Sequence, residues 1–200
     1  MLNKILSLIL IIIIIIFGFF LSYPTSFEGN KKIIIKKHYD KLLIVAHPDD
    51  ETLWGYHQLK NNKGWKIISI TNAHNNIRVK ELTNIAEYWG AALEIWNYKD
   101  CPIRYNMHPQ LYNDIKKEIA KPNVKMVLTH NALGEYGHIQ HKKVSQVVLT
   151  VSNKPTYVFS YGTTQKKGEM CKLSKYYSSQ EKIFLEHCNK IPKNHIYRVR

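Results

Sequence analysis

A chain of 200 residues, 44% of them hydrophobic, is long enough for one domain with a sizeable core, which excludes a mainly disordered protein. The formal net charge is +14, and such a basic excess suits nucleic acid or anionic lipid as a partner. The lysines are scattered without a nucleic-acid-binding motif, so we favour a solvated basic surface and expect no nucleic-acid partner. Cys101, Cys171 and Cys188 have no close-paired spacing, which indicates neither a disulfide framework nor a thiolate zinc site.

The N-terminal segment predicts a membrane anchor. Residues 5–21 read ILSLILIIIIIIFGFFL, an apolar run near the lower length limit for a membrane-spanning helix. No A-x-A-like cleavage site follows, so the sequence favours an uncleaved signal anchor over residues 1–22 rather than a cleaved signal peptide. Residues 23–40 then read as a basic linker, in which IIIKK is either a short strand or an interfacial segment.

The charges beside this anchor predict its orientation. Lys4 precedes the segment, whereas Lys31, Lys32, Lys36 and Lys37 follow it. By the positive-inside rule, the larger positive flank stays in the cytosol together with the domain attached to it. We therefore expect a single-pass membrane protein with a cytosolic domain, and a lumenal or secreted domain is the alternative.

From Lys41 onward, short apolar runs alternate with segments of helical periodicity. Strands are predicted at KLLIVAH, WKIISITN, LEIWNY, KMVLTHN and TYVFSYG. Helices are predicted at TLWGYHQLKNNKG, RVKELTNIAEYWG, LYNDIKKEIAKP and the valine-striped segment after residue 138, with residues 176–188 as a possible last helix. This alternation predicts one α/β domain over residues 41–200, a Rossmann-like three-layer sandwich with a mostly parallel sheet.

Two polar motifs directly follow predicted strands. VAHPDDE, residues 45–51, places three consecutive carboxylates after the first strand of this domain, and like charges so close repel one another. NALGEYGHIQHKKV follows the fourth strand, and its His138 and His141 share one helical face because they are three residues apart. Active sites of parallel sheets lie beyond the carboxyl ends of the strands, so we expect the two motifs to meet there.

Histidines and carboxylates from two strand ends indicate a catalytic metal site. Three nitrogen or oxygen ligands with one open position are the arrangement of catalytic zinc, and a cation would relieve the carboxylate repulsion. Each motif alone is weak, because HPDD also suits a turn and a single histidine is more often a surface or core residue. We treat six other histidines in that ordinary way: His38, His57, His74, His108, His187 and His195.

The order of these motifs resembles that of the LmbE/PIG-L-type de-N-acetylases, with AHPDDE after the first strand and GHIQH opening a late helix. RVKEL, residues 78–82, is also similar to a family segment, and the resemblance covers about residues 41–161. It implies a zinc-dependent hydrolase that removes the N-acetyl group from a glucosaminyl conjugate. One family member acts on N-acetylglucosaminyl-phosphatidylinositol in anchor biosynthesis and is held to the endoplasmic reticulum by an N-terminal helix, a layout similar to this one.

The resemblance also implies a role for each motif residue. The zinc ligands, or ligands of another divalent metal, would be His47, Asp50 and His141. Asp49 would be the general base, while Tyr136 and a protonated His138 would polarise the substrate carbonyl and stabilise its oxyanion. Glu51 would orient its neighbours, and Arg78 and Glu81 would contact the substrate or line its pocket.

Several functions remain open at this level. The anchor and the basic linker favour a lipid-linked substrate, because an anionic phosphoinositide would attract the lysines. The alternatives are a de-N-acetylase of another N-acyl amino sugar and a catalytically silent, membrane-tethered sugar-binding protein. A nucleotide-binding domain lacks support, since neither G-x-G-x-x-G nor G-x-x-x-x-G-K-[ST] follows a predicted strand.

Overall fold

A seven-stranded mixed sheet forms the centre of the computed structural model, which describes residues 32–100, 109–160, 163–165, 169–188, 190–192 and 196–200. Its strands are β1 (Lys32–Ile35), β2 (Lys41–Val45), β3 (Trp65–Thr71), β4 (Ala92–Tyr98), β5 (Met126–Thr129), β6 (Thr156–Val158) and β9 (Tyr197–Arg198). The spatial order is β1-β4-β3-β2-β5-β6-β9. The five inner strands are parallel, and the edge strands β1 and β9 run antiparallel to β4 and β6. The predicted mostly parallel sheet is confirmed.

Helices connect the parallel strands. They are α1 (Asp50–Leu53), α2 (Tyr56–Asn61), α3 (Asn76–Trp89), α4 (Pro109–Ile119), a distorted single turn α5 (Gly134–Gly137), α6 (Ile139–Val151) and α7 (Glu181–Cys188). Two 3₁₀ segments, Glu169–Tyr176 and Ser178–Gln180, precede α7, and β7 (Thr163–Gln165) pairs with β8 (Lys190–Pro192) as a separate two-stranded sheet.

Alternation along β2 divides the core between the two faces of the sheet. Leu43 and Val45 pack on the face covered by α3 and α7, whereas Leu42 and Ile44 pack on the face covered by α4 and α6. Successive strand residues point to opposite faces, so a continuous apolar run is what a strand buried on both sides requires. The result is three layers, helices–sheet–helices, as the sequence predicts.

The strand order places a crevice between β2 and β5. From β2 the chain steps through β3 to β4 on one side, and then returns to β5 and β6 on the other side. Such a reversal creates a crevice at the carboxyl ends of the two central strands, where ligands of open α/β sheets bind. Both polar motifs follow these two strands.

Some element boundaries differ from the sequence predictions. TLWGYHQLKNNKG forms parts of two short helices rather than one, with a break at Trp54 and Gly55, and the first of them begins inside the acidic motif at Asp50. A Cβ atom on Gly55 would lie 2.6 Å from the Glu51 carbonyl oxygen, so this close approach depends on glycine. Of the predicted last helix, only Glu181–Cys188 is α-helical.

The N-terminal predictions meet the structure only in part. The predicted anchor, residues 1–22, lies outside the described residues, and within the described ones no helix is long and apolar enough to cross a membrane. Lys32–Ile35, inside the segment read as a linker, forms a strand that pairs with β4, one of the two possibilities that IIIKK suggests.

The cysteine prediction is wrong for two of the three residues. Cys171 and Cys188 form a disulfide, with Cα atoms 5.2 Å apart and a sequence separation of 17. The 3₁₀ segments and α7 contact one another, which brings these distant positions together, and spacing in the sequence does not reveal such a fold-back. Cys101 lies outside the described residues.

Candidate active site

The two polar motifs meet at the carboxyl ends of β2 and β5. His47 to Asp50 follow β2 directly, and His130 follows β5, while His138 and His141 lie at the start of α6. The His47 and His141 ring centroids are 5.5 Å apart, and those of His138 and His141 are 4.5 Å apart. The predicted site residues are therefore neighbours in space.

His141 presents one nitrogen that no protein group satisfies. Its Nδ1 lies 2.6 Å from Glu135 Oε2, and a carboxylate can only accept, so Nδ1 carries the hydrogen. Its Nε2 is buried, makes no hydrogen bond of acceptable geometry and lies 3.2 Å from Asp50 Oδ1. A neutral His141 therefore directs an unused lone pair towards an Asp50 oxygen.

His47 is oriented in a matching way by Gln140. The Gln140 amide nitrogen donates to the Lys99 carbonyl, and its Oε1 lies 2.8 Å from His47 Nε2, which must then carry the hydrogen. His47 Nδ1 faces Asp50 Oδ2 at 3.2 Å. Burial alone lowers the pKa of His47, but its hydrogen bonds to Asp100 and Asp50 outweigh burial and raise the pKa to about 10. Asp100 lies 3.3 Å from Nε2, so the carboxylates on both sides of the His47 ring favour a positive charge.

These contacts fit a bound cation. Two imidazole lone pairs and both oxygens of one carboxylate converge, an arrangement that is repulsive unless a proton or a metal ion lies among them. Ligand atoms of His47, His138 and His141 lie within 4.8 Å of one another, as do those of Asp50, His130 and His141. His141 belongs to both groups. The ligand set expected from the sequence combines it with His47 from the first group and Asp50 from the second.

His130 is close to the site but is occupied on both ring nitrogens. Its Nε2 accepts a hydrogen bond from the Ala46 backbone N–H at 3.0 Å, and its Nδ1 lies 2.9 Å from Glu135 Oε2. Burial lowers its pKa, whereas Glu135 and Asp50 raise it to about 9 overall. Because the Ala46 N–H occupies Nε2 and Glu135 occupies Nδ1, this geometry leaves no nitrogen of His130 for a metal.

Asp49 has the environment of a general base. Its side chain is buried beside the ligand set, and burial, reinforced by Asp50, raises the pKa of its carboxyl group to about 8. Arg78 opposes this shift from 3.7 Å away and also donates to the Pro48 carbonyl oxygen at 2.6 Å. A base with a pKa near the working pH combines proton affinity with a useful ionised fraction. Arg78 thus contacts both the Asp49 side chain and the backbone that precedes it.

Tyr136 and His138 lie on the open side of the site. Tyr136 is 53% exposed, and its ring lies 5.7 Å from that of His138. His138 caps α6, because its Nδ1 accepts from the Gln140 backbone N–H at 3.3 Å. Burial, together with His141 and His47, lowers the pKa of His138 to about 4. A pKa this low favours a neutral His138 over the protonated ring expected from the sequence, and because Nδ1 accepts, the ring hydrogen is on Nε2.

Sequence reasoning missed several residues of the site. Glu135 bridges the two inner histidines, Gln140 orients His47, and His187 stacks on Tyr136 with ring centroids 4.8 Å apart. Glu135 and Gln140 lie within the second motif, so their position was a usable signal, whereas His187 is distant in sequence. Glu81 is buried, and its carboxylate accepts hydrogen bonds from Ser178 and Ser179.

The part of the chain that holds this site matches a known protein family. The model of the family described as PIG-L, GlcNAc-PI de-N-acetylase, matches residues 42–152, which hold both motifs and every expected ligand. The chain belongs to the PIG-L family. As a PIG-L family member it is a hydrolase of the de-N-acetylase type, directed at N-acetylglucosamine-type substrates in general.

Individual relatives add context. Uncharacterized protein L374 of Acanthamoeba polyphaga mimivirus is 36% identical over 178 residues, which cover 76% of this chain and 79% of that protein. Among solved structures, a deacetylase triple mutant of the teicoplanin biosynthetic pathway has 16% identity and a TM-score of 0.49, covering 76% of this chain and 82% of its own. N,N'-diacetylchitobiose deacetylase from Pyrococcus horikoshii has 15% identity and a TM-score of 0.49, covering 78% and 72%. A structural likeness at this level supports no conclusion about the substrate.

Proposed function

We propose that this protein is a zinc-dependent hydrolase of the N-acetyl amide of an N-acetylglucosaminyl conjugate, with N-acetylglucosaminyl-phosphatidylinositol as its substrate. The observation that carries the proposal is the convergence of His47 Nδ1, His141 Nε2 and the Asp50 carboxylate, with Asp49 directly beside them. The products would be acetate and the free glucosaminyl conjugate.

The donor set suits zinc. Two neutral imidazoles and one carboxylate are a common ligand set of catalytic zinc, although nitrogen and oxygen sites also accept other divalent ions. Each expected ligand is held by a neighbour, His141 by Glu135 and His47 by Gln140, which fixes the tautomer that leaves the lone pair on the metal side. Bound zinc would supply Lewis-acid polarisation of the substrate carbonyl and a lowered pKa for attacking water.

Asp49 would carry the proton traffic of the reaction. An amide resists attack by neutral water, so the attacking water must lose a proton as it adds to the acetyl carbon. The Asp49 carboxylate is buried, next to an expected ligand, and its raised pKa makes it an effective proton acceptor. The protonated Asp49 would then return this proton to the departing amine.

Tyr136 and His138 would stabilise the oxygen on which negative charge develops. Both lie on the open side of the site, and each has an N–H or O–H able to donate a hydrogen bond. Burial and the charges of Asp50 and Asp49 raise the pKa of Tyr136, so its hydroxyl keeps the hydrogen it would donate. His138, with Nδ1 engaged at the start of α6, has only Nε2–H to offer.

We further propose that residues 1–22 anchor the protein in the endoplasmic reticulum membrane, close to a lipid-linked substrate. The apolar run and the following lysines support this placement. Flanking charge predicts a cytosolic domain, whereas the Cys171–Cys188 disulfide favours an oxidising, lumenal compartment. The two signals predict opposite faces, so the orientation requires its own test.

Acetate release by the full-length, detergent-solubilised, zinc-loaded protein tests the proposed substrate. We would compare N-acetylglucosaminyl-phosphatidylinositol with N-acetylglucosamine and N,N'-diacetylchitobiose, using Asp49→Asn as the inactive control. We expect release from the phosphatidylinositol conjugate, and none in the control. Release only from a lipid-free sugar would refute the lipid substrate, and no release from any of them by zinc-bound protein would refute the proposed activity.

A further inference from the structure

Asp49 has a backbone conformation that its neighbours must maintain. Its φ is 120° and its ψ is −32°, a region that residues with a side chain rarely adopt. Such a conformation persists only where surrounding contacts determine it, and here it sets the direction in which the side chain of the proposed base leaves the chain. The contacts made by the Asp49 backbone are therefore part of how the base is placed.

The Asp49 amide is held by Glu51. The Asp49 N–H donates to Glu51 Oε2 at 2.9 Å, and Glu51 is fully buried, so this bond is protected from water. The other oxygen, Oε1, accepts from the Thr52 hydroxyl at 2.8 Å and from the hydroxyl of Tyr177. The Glu51 carboxylate thus connects the backbone of the base to a tyrosine 126 positions further along the chain.

Tyr177 is rigidly placed for this contact. It is fully buried, its hydroxyl lies 2.7 Å from Thr52 Oγ1, and its ring stacks on Phe184 with centroids 4.8 Å apart. Glu81 of α3 holds the turn that follows Tyr177, through Ser178 and Ser179. α3 also carries Arg78, which lies 3.7 Å from the Asp49 carboxylate and donates to the Pro48 carbonyl oxygen.

This support comes from a part of the chain that the family match does not include. The match ends at residue 152, whereas Tyr177 lies between Cys171 and Cys188, which the disulfide joins. The disulfide limits how far this segment can move from the site, because it closes the chain on both sides of Tyr177. The C-terminal segment is therefore more than a cover for the hydrophobic core.

We infer that Tyr177 is a positioning residue for the reaction, which acts through Glu51 to hold the backbone of Asp49 in its active conformation. The inference rests on the proposed function, in which Asp49 is the base. The contacts of Tyr177 are with Glu51, Thr52 and Phe184 rather than with the expected ligands. Its effect should therefore fall on turnover rather than on metal or substrate binding.

Replacing Tyr177 with Phe in the full-length protein tests this inference, because the change keeps the ring and removes the hydroxyl. We expect kcat to fall by about tenfold or more, the range found when groups that orient reacting residues are removed, with KM and zinc content unchanged. Tyr176→Phe is the matched control, since Tyr176 is partly exposed and its ring lies against Tyr88, with ring centroids 5.7 Å apart. It should retain wild-type kcat.

A second variant and a second readout separate positioning from folding. Glu51→Gln replaces one accepting carboxylate oxygen with a donating amide nitrogen. The side chain can then no longer accept both from the Asp49 N–H and from the Tyr177 hydroxyl, so the variant should lower kcat as Tyr177→Phe does. In both variants, hydrogen exchange at the Asp49 amide should be faster than in the wild type, while Tyr176→Phe leaves it unchanged.

Opposite results overturn the inference. A folded Tyr177→Phe protein with wild-type kcat and wild-type exchange at Asp49 would remove Tyr177 from the positioning of the base. So would a loss that appears only as lower zinc content or poor folding, provided that Glu51→Gln turns over normally. If the wild type released no acetate from any substrate, the proposed function would fail instead, and amide exchange would still report on the Tyr177–Glu51–Asp49 contact.

Discussion

Glu135 offers a sharp test of how the expected metal ligands are held. Its buried carboxylate lies between His130 Nδ1 at 2.9 Å and His141 Nδ1 at 2.6 Å, and its Oε1 accepts from the Asn131 backbone N–H. Burial raises the pKa of Glu135, but His130 and His141 outweigh burial and lower it to about 2, so the group is ionised at neutral pH. Glu135→Gln keeps the size of the side chain and removes the charge.

The expected loss follows from these contacts. The Gln amide has one accepting oxygen and one donating nitrogen, so it cannot accept both from the backbone of Asn131 and from the two imidazoles as the carboxylate does. A hydrogen bond to a charged group contributes about 1.5–3 kcal/mol, and about 1.4 kcal/mol corresponds to a tenfold change in an equilibrium constant. Losing the one that fixes the His141 tautomer should therefore weaken zinc binding roughly 10- to 100-fold.

Competition with a chromophoric chelator would measure this affinity directly. Glu87→Gln is the matched control. Glu87 is exposed on α3, so this substitution makes the same chemical change away from the site. A folded Glu135→Gln protein that binds zinc as tightly as the wild type would refute the reasoning, since it would show that His141 does not need this carboxylate to present Nε2.

Three further predictions concern the base, the core and the membrane. Asp49→Asn should abolish acetate release while zinc analysis still finds bound metal; a metal-free variant would make Asp49 a ligand instead of the base. Lys66→Met should lower the free energy of unfolding by about 3–5 kcal/mol in urea titrations, because Lys66 is buried between Glu94 and Glu118 and the change removes this partner from Glu94 and leaves Glu118 with Lys121 alone. Burial raises the pKa of Glu118, but Lys121 and Lys66 outweigh burial and lower this pKa. The stabilisation is therefore present above the ordinary pKa of a glutamate and is lost as the pH falls through the lowered pKa. A stability difference between wild type and Lys66→Met that grows on acidification would contradict the pairing. Protease treatment of sealed microsomes should distinguish the two orientations, with digestion expected for a cytosolic domain and protection, together with an oxidised Cys171, for a lumenal one.

The fold follows from the sequence where burial and periodicity agree. Leu82, Ile85, Ala86 and Trp89 predict the buried face of α3, all four are buried, and Gly90 ends the helix with a φ of 66° as its position suggests. The β7–β8 pair was not predicted, because such short strands carry little pattern. The disulfide was missed because proximity in space, rather than spacing in sequence, decides it.

The site was predictable as far as chemistry could be placed at strand ends. The motifs at β2 and β5 bring His47, Asp50 and His141 together, as expected from the carboxyl-end rule. The sequence could not predict the protonation states of the site residues or the distant side chains that hold them in place. The neutral state of His138 depends on surrounding burial and on its role at the start of α6, and Tyr177 reaches Glu51 only because the C-terminal segment folds back over α1 and α3.

Zinc titration of the metal-stripped, full-length protein, followed by acetate release at each step, is the most direct test of a metal-dependent de-N-acetylase built on this site. We predict that activity rises in proportion to bound zinc, saturates at about one ion per chain as a single three-ligand site requires, and that His141→Ala neither binds this ion nor releases acetate. Acetate release from the metal-free protein, or a stoichiometric zinc site that survives His141→Ala, would contradict the account.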